Sequence, residues 1–203
     1  TILTPDQFMA VAKSHQLLEK IDRWVLINAC KRINEVRKTH PEARLLVQLT
    51  SASLIDKKLP SVASQLINAI GGKARALTLQ FNEKDISDYL TVAKSQFTAL
   101  SQVNCQLSIN NFGSSIKSVE LANFVHPNMV RLAHNYVEGI DAADNLETVK
   151  SIIVRTNEIN VDVLMPYIED AATMSVAWSV GARYLQGNYL EMPSNSIKVS
   201  QEG

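Results

Sequence analysis

The 203-residue sequence predicts an α/β fold with a largely parallel sheet, of which a (β/α) barrel is the closed form. Three observations predict it. Short apolar runs of strand length alternate with stretches of helical periodicity along the chain. The runs end on polar residues, as strands do where a parallel sheet presents its carboxyl ends to a ligand. Hydrophobic residues make up 46% and charged residues 20%, an ordinary globular composition that lets a chain of this length bury one large core.

The elements follow in order. Over residues 18–39, Leu18, Ile21, Val25, Ala29, Ile33 and Val36 recur at spacings of three and four, which predicts a helix with that stripe inward. LLVQL (45–49) reads as the first strand, a weaker helical pattern covers 60–70, and LTLQF (77–81) is the second strand. Ile86, Leu90, Ala93, Phe97 and Leu100 lie on one face and predict a single helix. CQLSI (105–109) and MVRL (129–132) follow as strands, then a helix over 146–156, the strand VDVLM (161–165), a helix over 171–180 and the strand RYLQ (183–186).

Where these runs end stand Gln48 and Thr50, Gln80 and Asn82, Asn110 and Asn111, Arg131, and Gln186. A single polar residue there is an ordinary loop start; a convergent set points to a site. Neutral amides around one Arg suit hydrogen bonding to a polar ligand, but they are poor ligands for Mg²⁺ or Mn²⁺, which prefer carboxylates.

Lys plus Arg (20) balance Asp plus Glu (20), so no net field favours DNA or an anionic membrane surface. Cys30 and Cys105 lie in apolar stretches without metal-ligand spacing and read as reduced core residues. No run of about 18 apolar residues occurs, and the start lacks a signal-peptide layout. These features lead us to expect a cytoplasmic protein with no membrane insertion and no DNA partner.

Several segments, in order, resemble the EAL domain family of cyclic-di-GMP phosphodiesterases. ILTPDQFMAVAKSHQLLEKIDRWVLINAC is similar to the family's P-x-x-F-I-P-x-A-E-x-x-G-L-I-x-x-I-D-R-W-V-L stretch, with Asp22, Arg23 and Trp24 on its IDRW core. VQLTSASL resembles an N-L-S strand end, LTLQFNE resembles L-x-L-E-I-T-E, and LSINNFGSSIKSVEL resembles D-D-F-G-T-G-x-S-S-L. MVRLAHNYV is similar to K-I-D-x-x-F-V, VLMPYIED to A-E-G-V-E-T, and GARYLQGNYLEMP to the closing G-x-x-x-x-Q-G-Y-x-x-x-x-P.

The resemblance implies a modified TIM-type (β/α) barrel formed by one domain over residues 1–203, as the C-terminal part of a longer GGDEF-EAL type protein. The family's E-A-L-L-R strand, with its ligand-facing Arg, would lie before Thr1, so the first strand is expected to be absent from the chain. Active members cleave the nucleotide with two divalent cations held by carboxylates and an Asn. Carried over residue by residue, that Asn is Gln48, the Glu of L-E-I-T-E is Gln80, and the aspartates of D-D-F-G are Asn110 and Asn111. The Lys and Asp of K-I-D are Arg131 and Ala133, and the Glu of A-E-G is Pro166. Near the strand ends the remaining carboxylates are Glu83 and Glu169.

A site stripped of carboxylates is expected to hold no metal and to have no catalytic residues, while neutral amides and Arg131 suit capture of a phosphate-bearing ligand. By the resemblance, Thr4 approaches the ligand, Asp22 accepts from a guanine edge, Gln186 and Gly187 lie near a base, and Met192 with Pro193 gives an apolar wall. Tyr167 could stack on a base, or simply pack; Asp22 could instead form a salt bridge on its helix surface. Within the family the pattern resembles FimX-type receptors, regulators of type IV pili at the cell pole. That likeness implies cyclic-di-GMP as ligand, an upstream GGDEF-like domain and a PilZ-domain adaptor. Two other readings stay open: residual phosphodiesterase activity, and a protein-binding scaffold that has lost the nucleotide.

Overall fold

The computed structural model describes residues 4–71, 75–140, 142–194 and 197. Ile2 and Leu3, at the start of the first family-like segment, lie outside them. Six strands pair in parallel and in sequence order: β1 (Leu45–Gln48), β2 (Leu77–Asn82), β3 (Gln106–Phe112), β4 (Met129–Leu132), β5 (Asp162–Met165) and β6 (Tyr184–Leu185). The result is a curled half-barrel of α/β type, with β1 and β6 at its two edges among the described residues. Two helices, α1 (Pro5–Ser14) and α2 (Leu18–Val36), precede β1. Parallel neighbours need crossovers, and helices supply them: α3 (Ser51–Leu54), α4 (Leu59–Ala69), α5 (Glu83–Asp88), α6 (Leu90–Gln102), α7 (Ser118–Val125), α8 (Ala143–Glu158) and α9 (Ala171–Ser179).

The sheet's outer face and the helices make the core. In β2, Leu77, Leu79 and Phe81 alternate outward and are fully buried with Ile86, Phe97 and Leu100 of α5 and α6. Burial of each such side chain contributes about 1.5–3 kcal/mol. Thr78 and Gln80 alternate to the inner face and are buried too.

All six sequence-read strands form; β4 keeps the bounds read for it, and the others have ends displaced by one to three residues. Three local expectations are corrected. Asn110 and Asn111 do not follow β3 but lie inside it, because the strand runs on to Phe112 through a register shift between Ile109 and Phe112. The single helix over 86–100 is two, broken at Tyr89, whose φ −121° and ψ 39° are not helical. In α2 the fully buried line is Asp22, Leu26, Cys30 and Ile33, while Val25, Ala29 and Val36 are only partly covered. The stripe is rotated by about one residue because a polar group, Asp22, belongs to the buried face.

Short turns return each helix to the sheet, and Asn104, His126 and Asn160 take left-handed φ of 62°, 57° and 57° after α6, α7 and α8. Among the described residues no helix is long and apolar enough to cross a membrane.

Candidate functional site

At the carboxyl ends of the strands the inner-face side chains form one hydrogen-bonded chain. Register places Asn82 directly opposite Asn110, and Asn110 Nδ2 donates to Asn82 Oδ1 at 3.0 Å. Asn110 Oδ1 in turn accepts from Arg131 Nη1 at 3.0 Å, and Arg131 Nε donates to Gln186 Oε1 at 3.1 Å. Four strands' worth of side chains, from β2, β3, β4 and the end of β6, are thus tied through one guanidinium. The register shift in β3 takes part: it lets Asn110 face inward while Asn111, at φ 54°, turns out and stays outside this chain.

Tyr167 closes the β5 side. It follows buried Pro166, stands at φ 58°, and places its ring 5.0 Å from Arg131 Cζ. His134, just after β4, meets the same ring edge-on, with centroids 4.4 Å apart and planes at 77°. The sequence carries no signal for His134, since its contact depends on how the β4 and β5 ends converge.

Below this layer Gln80 is 3% exposed and donates from Nε2 to Ser108 Oγ at 2.8 Å. It supports the floor rather than opening onto the cleft. Gln48 is exposed at the end of β1 and donates to its neighbour Leu49 O at 3.1 Å, apart from the chain.

Asp22 does not form a surface ion pair. It is 3% exposed, and its Oδ2 accepts from Thr50 N (2.9 Å), Thr50 Oγ1 (2.7 Å) and Ser53 Oγ (2.6 Å). A carboxylate from α2 therefore satisfies the first turn of α3. The neighbouring Arg23 forms the salt bridges instead, to Asp56 at 2.8 Å and Glu19 at 3.1 Å.

The two carboxylates nearest the strand ends are already engaged. Glu83 is buried and accepts from Gly113 N at 2.9 Å and Ser118 Oγ at 2.7 Å, anchoring the loop after β3. Burial, and then the charge of Glu83, push the Tyr136 hydroxyl above the usual phenol range; that hydroxyl donates to Gly113 O at 2.8 Å. Glu169 is exposed and accepts from Asn188 Nδ2 at 3.0 and 3.2 Å. At the places where the family pattern puts metal carboxylates, the side chains are amides, Ala133 and Pro166. Among the described residues, no three His, Cys, Asp or Glu side chains group as a metal site. This donor set does not fit a pair of hard divalent cations, which require anionic oxygens.

Gly187 is fixed by packing. A Cβ there would lie 2.1 Å from Ile168 O and 2.2 Å from Ile168 N, and the turn is closed by Ile168 N to Gln186 O and Tyr189 N to Ile168 O, both 3.0 Å. Thr4, exposed at the start of α1, donates its N–H to Gln7 Oε1 at 3.0 Å. Met192 and Pro193 are exposed beyond β6.

A separate cavity of about 560 Å³ opens at the opposite end of the sheet, lined by strand-start residues such as Gln106, Asp162 and Tyr184 and by Arg44, Arg75 and Arg183. Its volume is generous, but it lies away from the convergent amides and Arg131.

Comparison with known proteins agrees with this fold. The family model described as "EAL domain" matches residues 1–193. The FimX EAL domain from Pseudomonas aeruginosa, solved bound to c-di-GMP, is 31% identical, with a TM-score of 0.88, over 95% of this chain and 77% of that one. The Xanthomonas citri FimX EAL domain in complex with c-diGMP is 26% identical, with a TM-score of 0.92, over 100% of this chain and 80% of that one. Cyclic di-GMP phosphodiesterase PdeF of Escherichia coli is 23% identical over 202 residues, 99% of this chain, which spans 27% of that protein's length.

Proposed function

Because this chain belongs to the EAL domain family, we propose that it is a metal-independent receptor for cyclic-di-GMP that does not hydrolyse the nucleotide. The observation that carries this reading is the bonding of Arg131. Its guanidinium is oriented by two neutral amides, Asn110 and Gln186, and among the described residues it makes no salt bridge. Its charge is therefore left to meet a phosphate oxygen, where charge-assisted bonds are roughly twice as strong as neutral ones.

The donor set supports loss of catalysis. Hydrolysis in this family needs water activated by paired cations, and amides, Ala133 and Pro166 supply neither anionic ligands nor a general base. Two FimX EAL domains that hold the nucleotide share the fold, which supports the ligand assignment. Arg131 meets phosphate; Thr4, Gln48, Asn111 and Gln186 rim the ligand; Met192 and Pro193 flank a base. Asp22, its Oδ2 already used, can reach a guanine edge only through Oδ1. Output passes through protein contacts, by the FimX likeness to a PilZ-domain adaptor beside an upstream GGDEF-like domain, acting on type IV pili at the cell pole.

Calorimetry with cyclic-di-GMP tests the proposal. Binding is expected to be the same with EDTA or Mg²⁺, with no linear pGpG formed. A metal requirement or turnover overturns the receptor reading. No binding, together with no ligand-induced rise in melting temperature, leaves a scaffold.

A further inference from the structure

We propose that Tyr167 is a positioning residue: its ring fixes the plane of the Arg131 guanidinium, and acts on an anionic ligand only through that arginine. The argument begins with backbone. Tyr167 sits at φ 58°, a left-handed conformation that L side chains adopt at a cost and that the A-E-G pattern, through its Gly, avoids. A bulky residue kept at such a position points to a task for its side chain.

The ring's surroundings show which task. Arg131 Cζ lies 5.0 Å from the ring centroid and His134 abuts it at 4.4 Å, so the ring is wedged between side chains from one strand end. The turn that carries it is itself locked: Gln186 N donates to Met165 O and Ile168 N donates to Gln186 O, both at 3.0 Å. Gln186 thus aligns the turn with its backbone and Arg131 with its side chain.

Arg131 needs such a support. Where a carboxylate is present, a bidentate pair sets the guanidinium plane; here two single bonds, to Asn110 and Gln186, leave rotation about the axis they define. Stacking on an aromatic face removes that freedom and leaves the remaining N–H donors aimed at the cleft. Ordering before binding lowers the cost of capturing the ligand.

The choice of cyclic-di-GMP as probe rests on the receptor reading above, and the experiment separates the two. Affinity by calorimetry and melting temperature without ligand are measured for the full chain and for Tyr167→Phe, Tyr167→Leu, Arg131→Gln and the double variant Arg131→Gln/Tyr167→Leu. Tyr167→Leu is expected to weaken binding about tenfold and Tyr167→Phe to recover most of that loss. With Arg131→Gln in place, Tyr167→Leu should cost less than about twofold more, and the unliganded melting shifts should fail to add by about 2 °C. A full tenfold loss in the Arg131→Gln background means the ring touches the ligand, and overturns the proposal. Additive melting shifts overturn it whatever the affinities. If the wild-type chain binds no nucleotide, the receptor reading fails, while the melting cycle still decides the role of Tyr167. Should Arg131→Gln not fold, Arg131→Lys replaces it, keeping the charge and losing the plane.

Discussion

Arg131 and Asn110 are joined by a neutral-acceptor hydrogen bond, Nη1 to Oδ1 at 3.0 Å, where the family pattern would put an aspartate opposite the cation. The difference of one charge is testable. Asn110→Asp gives Arg131 a carboxylate partner and places a negative charge next to the expected phosphate. Affinity for cyclic-di-GMP in EDTA should fall by about tenfold or more, read by calorimetry. Unchanged affinity would show that Arg131 is not where the phosphate sits.

Asp22→Ala should act on stability. Its carboxylate accepts three bonds from Thr50 and Ser53 in the interior, so removal strands donors at the start of α3. The expected loss is about 2 kcal/mol, a fall in melting temperature of about 4–8 °C. Differential scanning calorimetry checks this in the absence of ligand, where a purely ligand-contacting Asp22 would change nothing.

Gly187→Ala forces a methyl group to within 2.1 Å of the Ile168 carbonyl oxygen, and backbone on both sides must give. Destabilisation of about 2–4 kcal/mol is expected from overpacking against main chain. The melting temperature should drop by about 4–16 °C, and Gln186, one residue away, should lose its alignment with Arg131. A neutral outcome would place the Q-G step outside the packed turn.

Alkaline stability should depend on Cys105. Burial pushes its thiol from 9.0 up to about 12, whereas the unfolded chain ionises it near the ordinary value. Between those values the unfolded state binds fewer protons than the folded one, so stability falls as pH rises. The contribution is fully present below about pH 9 and is lost towards pH 12, on the order of 1 kcal/mol per pH unit. Melting temperatures from pH 8 to 11 should decline less steeply in Cys105→Ala; parallel declines would refute the assignment.

How far the sequence reaches is visible in particular residues. MVRL is read with its true ends, bounded by Asn128 before it and by Ala133 and His134 after it. β3 is read three residues short, because a bulge admits Asn110 and Asn111 into a strand whose apolar run ends at Ile109. Tyr89 breaks a helix inside an uninterrupted apolar spacing, since a single non-helical φ and ψ leaves no mark on periodicity. Asp22 is invisible as an interior residue: periodicity counts apolar side chains, and its burial depends on Thr50 and Ser53, about 30 positions away.

The sequence by itself determined the alternation of strands and helices, the family, and the chemical kind of the strand-end side chains, because apolar spacing and residue identity are properties of the chain. Only the tertiary structure decided which of those side chains meet. Gln48, Gln80 and Asn111 go their own ways, while Asn82, Asn110, Arg131, Gln186, Tyr167 and His134 converge. The physical reason is that hydrogen bonds and ring contacts act over a few ångströms, and only strand register, one bulge and one left-handed turn bring groups so far apart in sequence within that range.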